Sequence, residues 1–490
     1  MPSKGSIAGS PSPNTYVLNQ KGSQNAVGHL NSARANMDGI NRRPLPHGDV
    51  VVHPNGSLTL NAEGGRRYGL RPNGTLASYS HQGQTARFGP NGHITSFHSE
   101  NLEFHRSLGG SRIVVAHYPN HSVLVGVGPR HGYLERPITV HDRPYYLRTY
   151  VRGPVVYTHA YVGYAYAGVS LHYYVAPAYY TPAFYGWASY PWIRPVPYGW
   201  GWSAAPWYGG PQPYFVASPV YPSASSWLTD YYLGDVLNTA YQEQADAGQT
   251  FDDQAAPQDD IADLTAPDEL TDAQDDNGQQ EPEPSPVYAD ASTPISADLK
   301  AAIADEIHEQ LAYDNAAQAL PVGDPNPLAS YDSLPATMKR ANYIFVVAEA
   351  ERVRTSDDRV CKINAGDTLR IVTPPPADAT IIWLKVASSH ERDCPVGEEV
   401  SVHLEDLQGM VNNLREHVET GLSELRYNQG NNGLPAPPLA SVAVPPRQAI
   451  PDTLTRPDPG VQAMLQTQQQ QANQAETQIQ STALAMSPQL

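Results

Sequence analysis

His53–Leu60 reads HPNGSLTL, Arg71–Ser78 reads RPNGTLAS and Gly89–Ser96 reads GPNGHITS. Pro54, Pro72 and Pro90 are 18 residues apart both times. Apolar residues alternate on either side of each Pro-Asn-Gly, which is the period of a half-buried strand. Asn and Gly tolerate positive φ at both central positions of a tight turn, so the pair is the strongest short hairpin signal. Asn55–Gly56, Asn73–Gly74 and Asn91–Gly92 are therefore expected as turns that set the register of successive hairpins. A second turn is expected at Gly65, Gly83 and Asn101, so each unit is strand, turn, strand, turn. A fourth, degenerate unit is expected at Gly109–Gly110, 18 residues on from Asn91–Gly92. A lone hairpin is marginal in water, so the units should stack as an antiparallel meander.

The chain reads outward from this repeat as mainly β with some α. Residues 1–48 are rich in Ser, Asn and Gly and read as disordered. Residues 49–241 carry the hairpin repeats and then an aromatic segment rich in Pro and Gly. Residues 145–241 hold 20 of the 30 tyrosines and six of the seven tryptophans, with too many breakers for long regular elements. Tyr198, Trp200, Trp202 and Trp207 are candidates to stack on sugar rings or on a partner protein. The alternative is that these rings bury one another and staple the segment down as core. The segment ends in an expected helix, with Ser226 as cap and Leu228, Tyr231, Tyr232, Val236 and Ala240 on one face.

Charge divides the chain. Net charge is −18 overall, but residues 1–241 carry +8, while 243–290 hold 15 Asp/Glu and no Lys or Arg. Residues 242–293 read as an acidic, self-repelling disordered linker; the sharper alternative is that it folds back on the basic front against an anionic partner. Residues 294–320 read as an amphipathic helix capped by Ser296, with Leu299, Ile303, Ile307 and Leu311 in one stripe. That stripe, 296–311, either packs on its own domain or serves self-association. Residues 341–427 hold six short candidate strands, suggesting a small β-barrel, and then a helix with Leu407, Met410, Val411, Leu414, Val418, Leu422 and Leu425 on one face. Residues 428–490 are Pro-rich, then Gln-rich, and read as a disordered tail with at most a weak helix around 460–483.

Little here carries chemistry. Cys361 and Cys394 are the only cysteines; they read first as a disulfide pinning the small barrel, with a reduced buried pair as the alternative. Histidines such as His93, His98, His105, His117, His121, His131 and His141 lie on strands and turns, without the convergent spacing of metal ligands. No nucleophile elbow, P-loop or Cys-His arrangement is present, so no catalytic residue, metal or cofactor is expected. Arginines are scattered along strands, which argues against nucleic acid. No apolar run has membrane-span length, and the first 20 residues show no secretory apolar region.

YGWASYPW (185–192), PVPYGWGWSAAPWYG (195–209) and SSWLTDYYL (225–233) resemble an uncharacterised family of bacterial proteins, acidobacterial in type, with YXWGXW-like repeats. Tyr198, Gly199, Trp200, Gly201 and Trp202 form a shortened version of that motif. The resemblance covers about 50–430 and includes DLKAAIADEIHEQL and the unit containing both cysteines, which is similar to a Src-homology-type small barrel. It implies an exported or envelope-associated protein, periplasmic or extracellular, and no known activity or catalytic residues. The hairpin units also resemble YD-repeat hairpins faintly, without the YD signature. The expected function is thus a non-enzymatic structural or binding protein of the cell envelope. Its alternatives are a glycan- or peptidoglycan-binding protein using the aromatic segment, a hydrolase, and a cytoplasmic location.

Overall fold

The computed structural model describes residues 48–90, 92–106, 112–140, 143–208, 214–248, 293–319, 336–390, 393–431, 433–451 and 454–484. The expected disordered N-terminus, Asn91, the Gly109–Gly110 turn, His141 and nearly all of the acidic linker lie outside the described residues. Thirteen strands form an antiparallel sheet whose order follows the chain. They are β1 (Gly48–Val52), β2 (Leu58–Ala62), β3 (Arg66–Leu70), β4 (Leu76–His81), β5 (Gln84–Phe88), β6 (Ile94–His98), β7 (Leu102–Arg106), β8 (Arg112–His117), β9 (Val123–Gly128), β10 (His131–Val140), β11 (Arg143–Arg152), β12 (Val155–Tyr166) and β13 (Val169–Val175). Two short ribbons pair β14 (Ala178–Tyr179) with β23 (Arg447–Gln448), and β15 (Val196–Pro197) with β16 (Val220–Tyr221). A further six strands are β17 (Ile344–Val346), β18 (Glu351–Thr355), β19 (Val360–Ile363), β20 (Thr368–Arg370), β21 (Ile381–Ser388) and β22 (Glu399–His403). The helices are α1 (Pro182–Ser189), α2 (Ala224–Gly248), α3 (Ala297–Ala317), α4 (Leu404–Tyr427) and α5 (Val461–Leu484). The chain divides into two compact units, residues up to 133 together with 460–484, and residues 134–459.

In the first unit the Pro-Asn-Gly turns are hairpin connections of a different type from the one expected. Gly56 donates its N–H to His53 O at 3.0 Å and has φ 81°, whereas Asn55 is not in the positive-φ region. Pro54 holds φ at about −65°, which makes Pro-Asn the centre of a type I turn and leaves Gly as the left-handed bulge residue. Gly74 repeats the arrangement with φ 84°, and Gly92 with φ 81°. The Asn side chain adds a lock: Asn55 Oδ1 accepts from Ser57 N at 3.1 Å, and Asn73 Oδ1 from Thr75 N at 3.0 Å. A two-residue turn with positive φ at both centres does occur, at Gln82–Gly83 (φ 50° and 77°). The same bonds found at Pro-Asn-Gly recur at Tyr118–Ser122, where His121 takes the bulge position with φ 62° and Asn120 Oδ1 accepts from Ser122 N. Among the described residues, Pro119-Asn120-His121 is thus a further turn of this kind.

The 18-residue period also places the core. Leu58, Leu76 and Ile94 are equivalent and buried, as are Leu70 and Phe88. One period further on, these two positions become Arg112 and Arg106, which face each other across β7 and β8. Their partner is the Gln-rich helix α5. Arg106 Nη2 donates to Glu476 Oε1 at 2.7 Å and Arg112 Nη1 to Oε2 at 2.9 Å. Arg112 Nη2 also donates to Gln469 Oε1 (3.0 Å) and Asn473 Oδ1 (2.5 Å). Gln468, fully buried, donates to Val114 O and Leu124 O. Ala472, Ile479 and Ala483 join the sheet's apolar core. Gly126 permits the close approach, since a Cβ there would stand 2.9 Å from Leu465 Cδ2. The expectation of a disordered tail is thus corrected: residues 461–484 are a structural member of the first unit, held by amide and charge contacts rather than by a broad apolar stripe.

In the second unit one helix serves two cores. Leu407, Met410 and Val411 of α4 pack with the six-stranded sheet, while Leu414, Val418, Leu422 and Leu425 pack with α2, α3 and the aromatic segment. The six expected strands all form, in the antiparallel order β17-β20-β21-β22-β18-β19; β17 and β19 are its two ends, and no pairing among the described residues closes it into the expected barrel. Ser296 caps α3 as expected, accepting from Leu299 N. The Leu299–Ile303–Ile307–Leu311 stripe is buried in its own unit, which removes it as a self-association face. Helix α2 starts earlier than expected, and Ser223, not Ser226, accepts the capping bond, from Ser226 N. Strand β13 ends the thirteen-strand order, and Asn412 of α4 covers its edge: Oδ1 accepts from Tyr174 N (2.9 Å) and Nδ2 donates to His172 O (2.6 Å). An open strand edge is an aggregation hazard, and this amide satisfies one pair of its groups.

Removing one member of a buried ion pair typically costs about 3–5 kcal/mol, whereas apolar replacement of the whole cluster is near neutral. Glu476→Ala should therefore destabilise the first unit by about 3 kcal/mol, seen as faster hydrogen exchange in β6–β9. Arg106→Leu with Arg112→Leu and Glu476→Leu should restore most of the protection, because leucine is what the repeat places at the equivalent positions.

Candidate functional site

The aromatic candidates come together, but mostly with one another. Trp200 is buried, with Trp202 (5.1 Å, 18°) and Trp227 (5.0 Å, 28°) both stacked on it. Tyr231 stacks on Trp227 at 5.4 Å and lies 6.4 Å from Trp200, Trp207 meets Trp202 tilted at 5.3 Å, and Tyr198 meets Trp200 edge-on at 4.8 Å. Trp200 is thus enclosed by neighbouring rings. Trp202, Trp207 and Tyr198 are half-buried against the same core.

A buried carboxylate fixes this stack. Trp200 Nε1 donates to Tyr221 OH at 2.7 Å, and that hydroxyl donates to Asp230 Oδ2 at 2.7 Å. Ser218 N donates to the same oxygen at 2.6 Å, and Lys300 Nζ of α3 lies 2.5 Å from Oδ1. Asp230 is fully buried, so its charge is matched by Lys300 and its lone pairs by the Tyr and the backbone. Burial, and then the neighbouring Asp230, push the Tyr221 hydroxyl far above the ordinary phenol range, so it remains a donor.

A second convergence lies on one face of β11–β13 beside α4. Cross-strand pairing sets Tyr146, Tyr161 and Tyr174 in one row, Arg148 opposite His159, and Tyr150 opposite Tyr157. Alternation puts all of these on the same face. Tyr161 OH donates to Glu416 Oε1 and meets Tyr150 OH at 2.8 Å. His159 Nδ1 lies 3.4 Å from Glu416 Oε2. Arg148 Nε donates to Glu135 Oε2 at 2.6 Å, and its guanidinium stands 4.7 Å above the Tyr161 ring. Burial alone would raise the Glu416 carboxyl, but His159 and the Tyr161 hydroxyl outweigh it and hold it below the usual range. Burial pushes Tyr161 and Tyr174 well up and His172 down. Sequence reading did not single out this group, since its members run from residue 135 to residue 416. The one local signal was the density of tyrosine in β11 and β12.

The remaining candidates fall out simply. Cys361 and Cys394 form a disulfide with Cα atoms 5.2 Å apart, and both cysteines are buried in the core of the six-stranded sheet. Asn55, Gly56, Asn73, Gly74 and Gly92 are turn residues, as their bonding shows. Among the described residues no group of His, Cys, Asp and Glu is placed to hold a metal, and no helix is long and apolar enough to cross a membrane.

Asp230→Ala would leave the Lys300 ammonium without its buried counter-charge and the Tyr221 hydroxyl without its acceptor, although Lys300 keeps Val216 O and Tyr221 still accepts from Trp200. It should cost about 3 kcal/mol, measured by urea denaturation followed through tryptophan emission. The pH dependence has a definite sign. Burial raises Glu306 to about 7 despite Arg340, and Asp314 to about 6 despite Arg415. A carboxyl raised on folding contributes stability that is full below its unfolded value and fades as pH rises through the folded one. His172, lowered by burial, opposes this below its ordinary 6.5. Glu351, raised to about 8, and Glu419, also raised by burial, act in the same direction as Glu306 and Asp314. The second unit should therefore resist urea better at pH 5.5 than at pH 8, and Glu306→Gln should reduce that difference.

No protein-family model, curated protein or solved structure matches this chain.

Proposed function

We propose that this chain is a non-enzymatic structural or binding protein of the bacterial cell envelope. The observation that carries the reading is the Cys361–Cys394 disulfide, which uses both cysteines of the sequence. Disulfides persist in oxidising compartments and are rare where thiol reductants dominate. The resemblance to YXWGXW-bearing bacterial proteins points the same way. Fractionation with thiol alkylation tests the reading. Both cysteines should resist alkylation, and the protein should partition with the envelope. Cytosolic protein with two alkylated thiols would overturn it. The loop spans 33 residues, and its closure is worth about 3–4 kcal/mol in the chain-entropy picture, so Cys361→Ser with Cys394→Ser should lower stability by that order.

A second reading, binding of envelope glycan, is favoured by the abundance of tyrosine and tryptophan at partly exposed positions. On the aromatic segment these include Tyr198, Trp202 and Trp207, beside Trp187 and Tyr208.

A further inference from the structure

Asp230 and Lys300 meet in a way that an ion pair does not require. Lys300 Nζ stands 2.5 Å from Asp230 Oδ1, yet Oδ1 is buried and accepts no hydrogen bond. The hydrogens of Lys300 go elsewhere, to Val216 O at 2.7 Å and Ser218 Oγ at 3.3 Å. A neutral amine has only two N–H groups, so its lone pair is left for the carboxyl. The other carboxyl oxygen is treated differently. Oδ2 accepts from Tyr221 OH at 2.7 Å and from Ser218 N at 2.6 Å. Trp200 Nε1 donates to the Tyr221 oxygen, which directs the Tyr221 hydrogen to Oδ2.

These are the parts that acyl transfer uses. Two fixed donors on one oxygen stabilise the negative charge of a tetrahedral intermediate. A nucleophile held against the carboxyl turns a bimolecular step into an intramolecular one. The surroundings add a third condition. Asp230, Tyr221 and Trp227 are buried, and Lys300 Nζ lies 5.0 Å from the centre of the Phe215 ring. Two charges are costly away from water, and moving one proton from nitrogen to oxygen removes both.

We infer that Asp230 and Lys300 condense to an amide that joins α2 covalently to α3. Lys300 Nζ passes one proton to Oδ1, giving an amine and a carboxylic acid. The nitrogen lone pair attacks Cγ, and the charge that develops on Oδ2 is held by Tyr221 OH and Ser218 N–H. The Cγ–Oδ1 bond then breaks, and Oδ1 takes a second proton from the nitrogen and leaves as water. One N–H remains on the new amide. The step consumes no oxidant, metal or second molecule. Its product suits the site: Oδ2 keeps both donors, the amide N–H keeps Val216 O, and the atom lost is the one without a hydrogen bond.

Mass spectrometry of the full chain, reduced and unfolded, tests the cross-link. After allowance for the substitution, the chain should weigh one water less than Lys300→Met. Cleavage after glutamate cuts at Glu243, between the two residues. The two fragments should nevertheless stay joined, with fragment spectra placing the bond at Asp230 and Lys300, and Lys300 should resist amine acylation. An ion pair does not survive unfolding, so none of these signals comes from charge alone. Tyr221→Phe removes one of the two donors and should slow joining about a hundredfold, followed in samples taken at intervals after cell-free synthesis. Fragments that separate, with Lys300 acylated, would overturn the inference, and so would a missing water confined to one fragment. Joining of Tyr221→Phe at the unmodified rate would overturn the part given to Tyr221.

Discussion

A buried aromatic ring that carries a polar atom is stabilised when that atom finds a partner. Trp200 and Tyr221 find one, whereas Trp227 Nε1 and the Tyr232 hydroxyl are buried without a hydrogen bond. This preference shapes the second unit. Its aromatic segment is so rich in Pro and Gly that tyrosine and tryptophan supply much of the apolar volume. Charged groups are then drawn inward to meet them. Asp230 holds Trp200 through Tyr221 and is itself neutralised by Lys300. Arg415 lies 4.3 Å from the Tyr173 ring centre and 4.9 Å from that of Tyr313, with Asp314 beside it. Glu416 meets Tyr161 and His159. Helix α2 brings Asp230, α3 brings Lys300 and Asp314, and α4 brings Arg415 and Glu416, so the positions of the helices and the surroundings of the rings are set together.

The first unit solves a different problem. Its short hairpins bury one face of a sheet, and the last repeat departs from the apolar pattern at Arg106 and Arg112. The chain returns 364 to 370 residues later to match those arginines with Glu476. The interruption of the repeat is thus the feature that specifies which helix covers it. Such a discontinuous unit is closed by its most distant segment, and that is a reason for polar, directional contacts in place of a merely greasy groove.

The repeat period, the turn positions, the six strands of the small sheet and the stripes of α3 and α4 were legible because each is a local pattern. What was not legible has a physical cause in each case. Pro54 and Pro72 select a type I turn with a glycine bulge, a choice that the Asn-Gly pair alone does not reveal. At Pro119-Asn120-His121 a histidine adopts the glycine conformation, so that turn escapes a search for Gly. The contact face of α5 runs through Leu465, Gln468, Ala472, Glu476, Ile479 and Ala483. That spacing is helical, but two of the residues are polar and two are alanine, so it does not register as a hydrophobic stripe. The tyrosine face could not be read at all without the strand register that sets residues 135 to 174 side by side with Glu416.

The account depends most on the aromatic segment being core, with Trp200 enclosed and Tyr221 tied to Asp230. Hydroxyl-radical footprinting measures that enclosure directly, each residue being compared with itself in the urea-unfolded chain. Trp200, Tyr221 and Trp227 should be strongly protected, while Tyr190 (71 % exposed) and Tyr427 (84 % exposed) react almost as in the unfolded chain. Trp200 reacting as freely as Tyr190 would contradict the account.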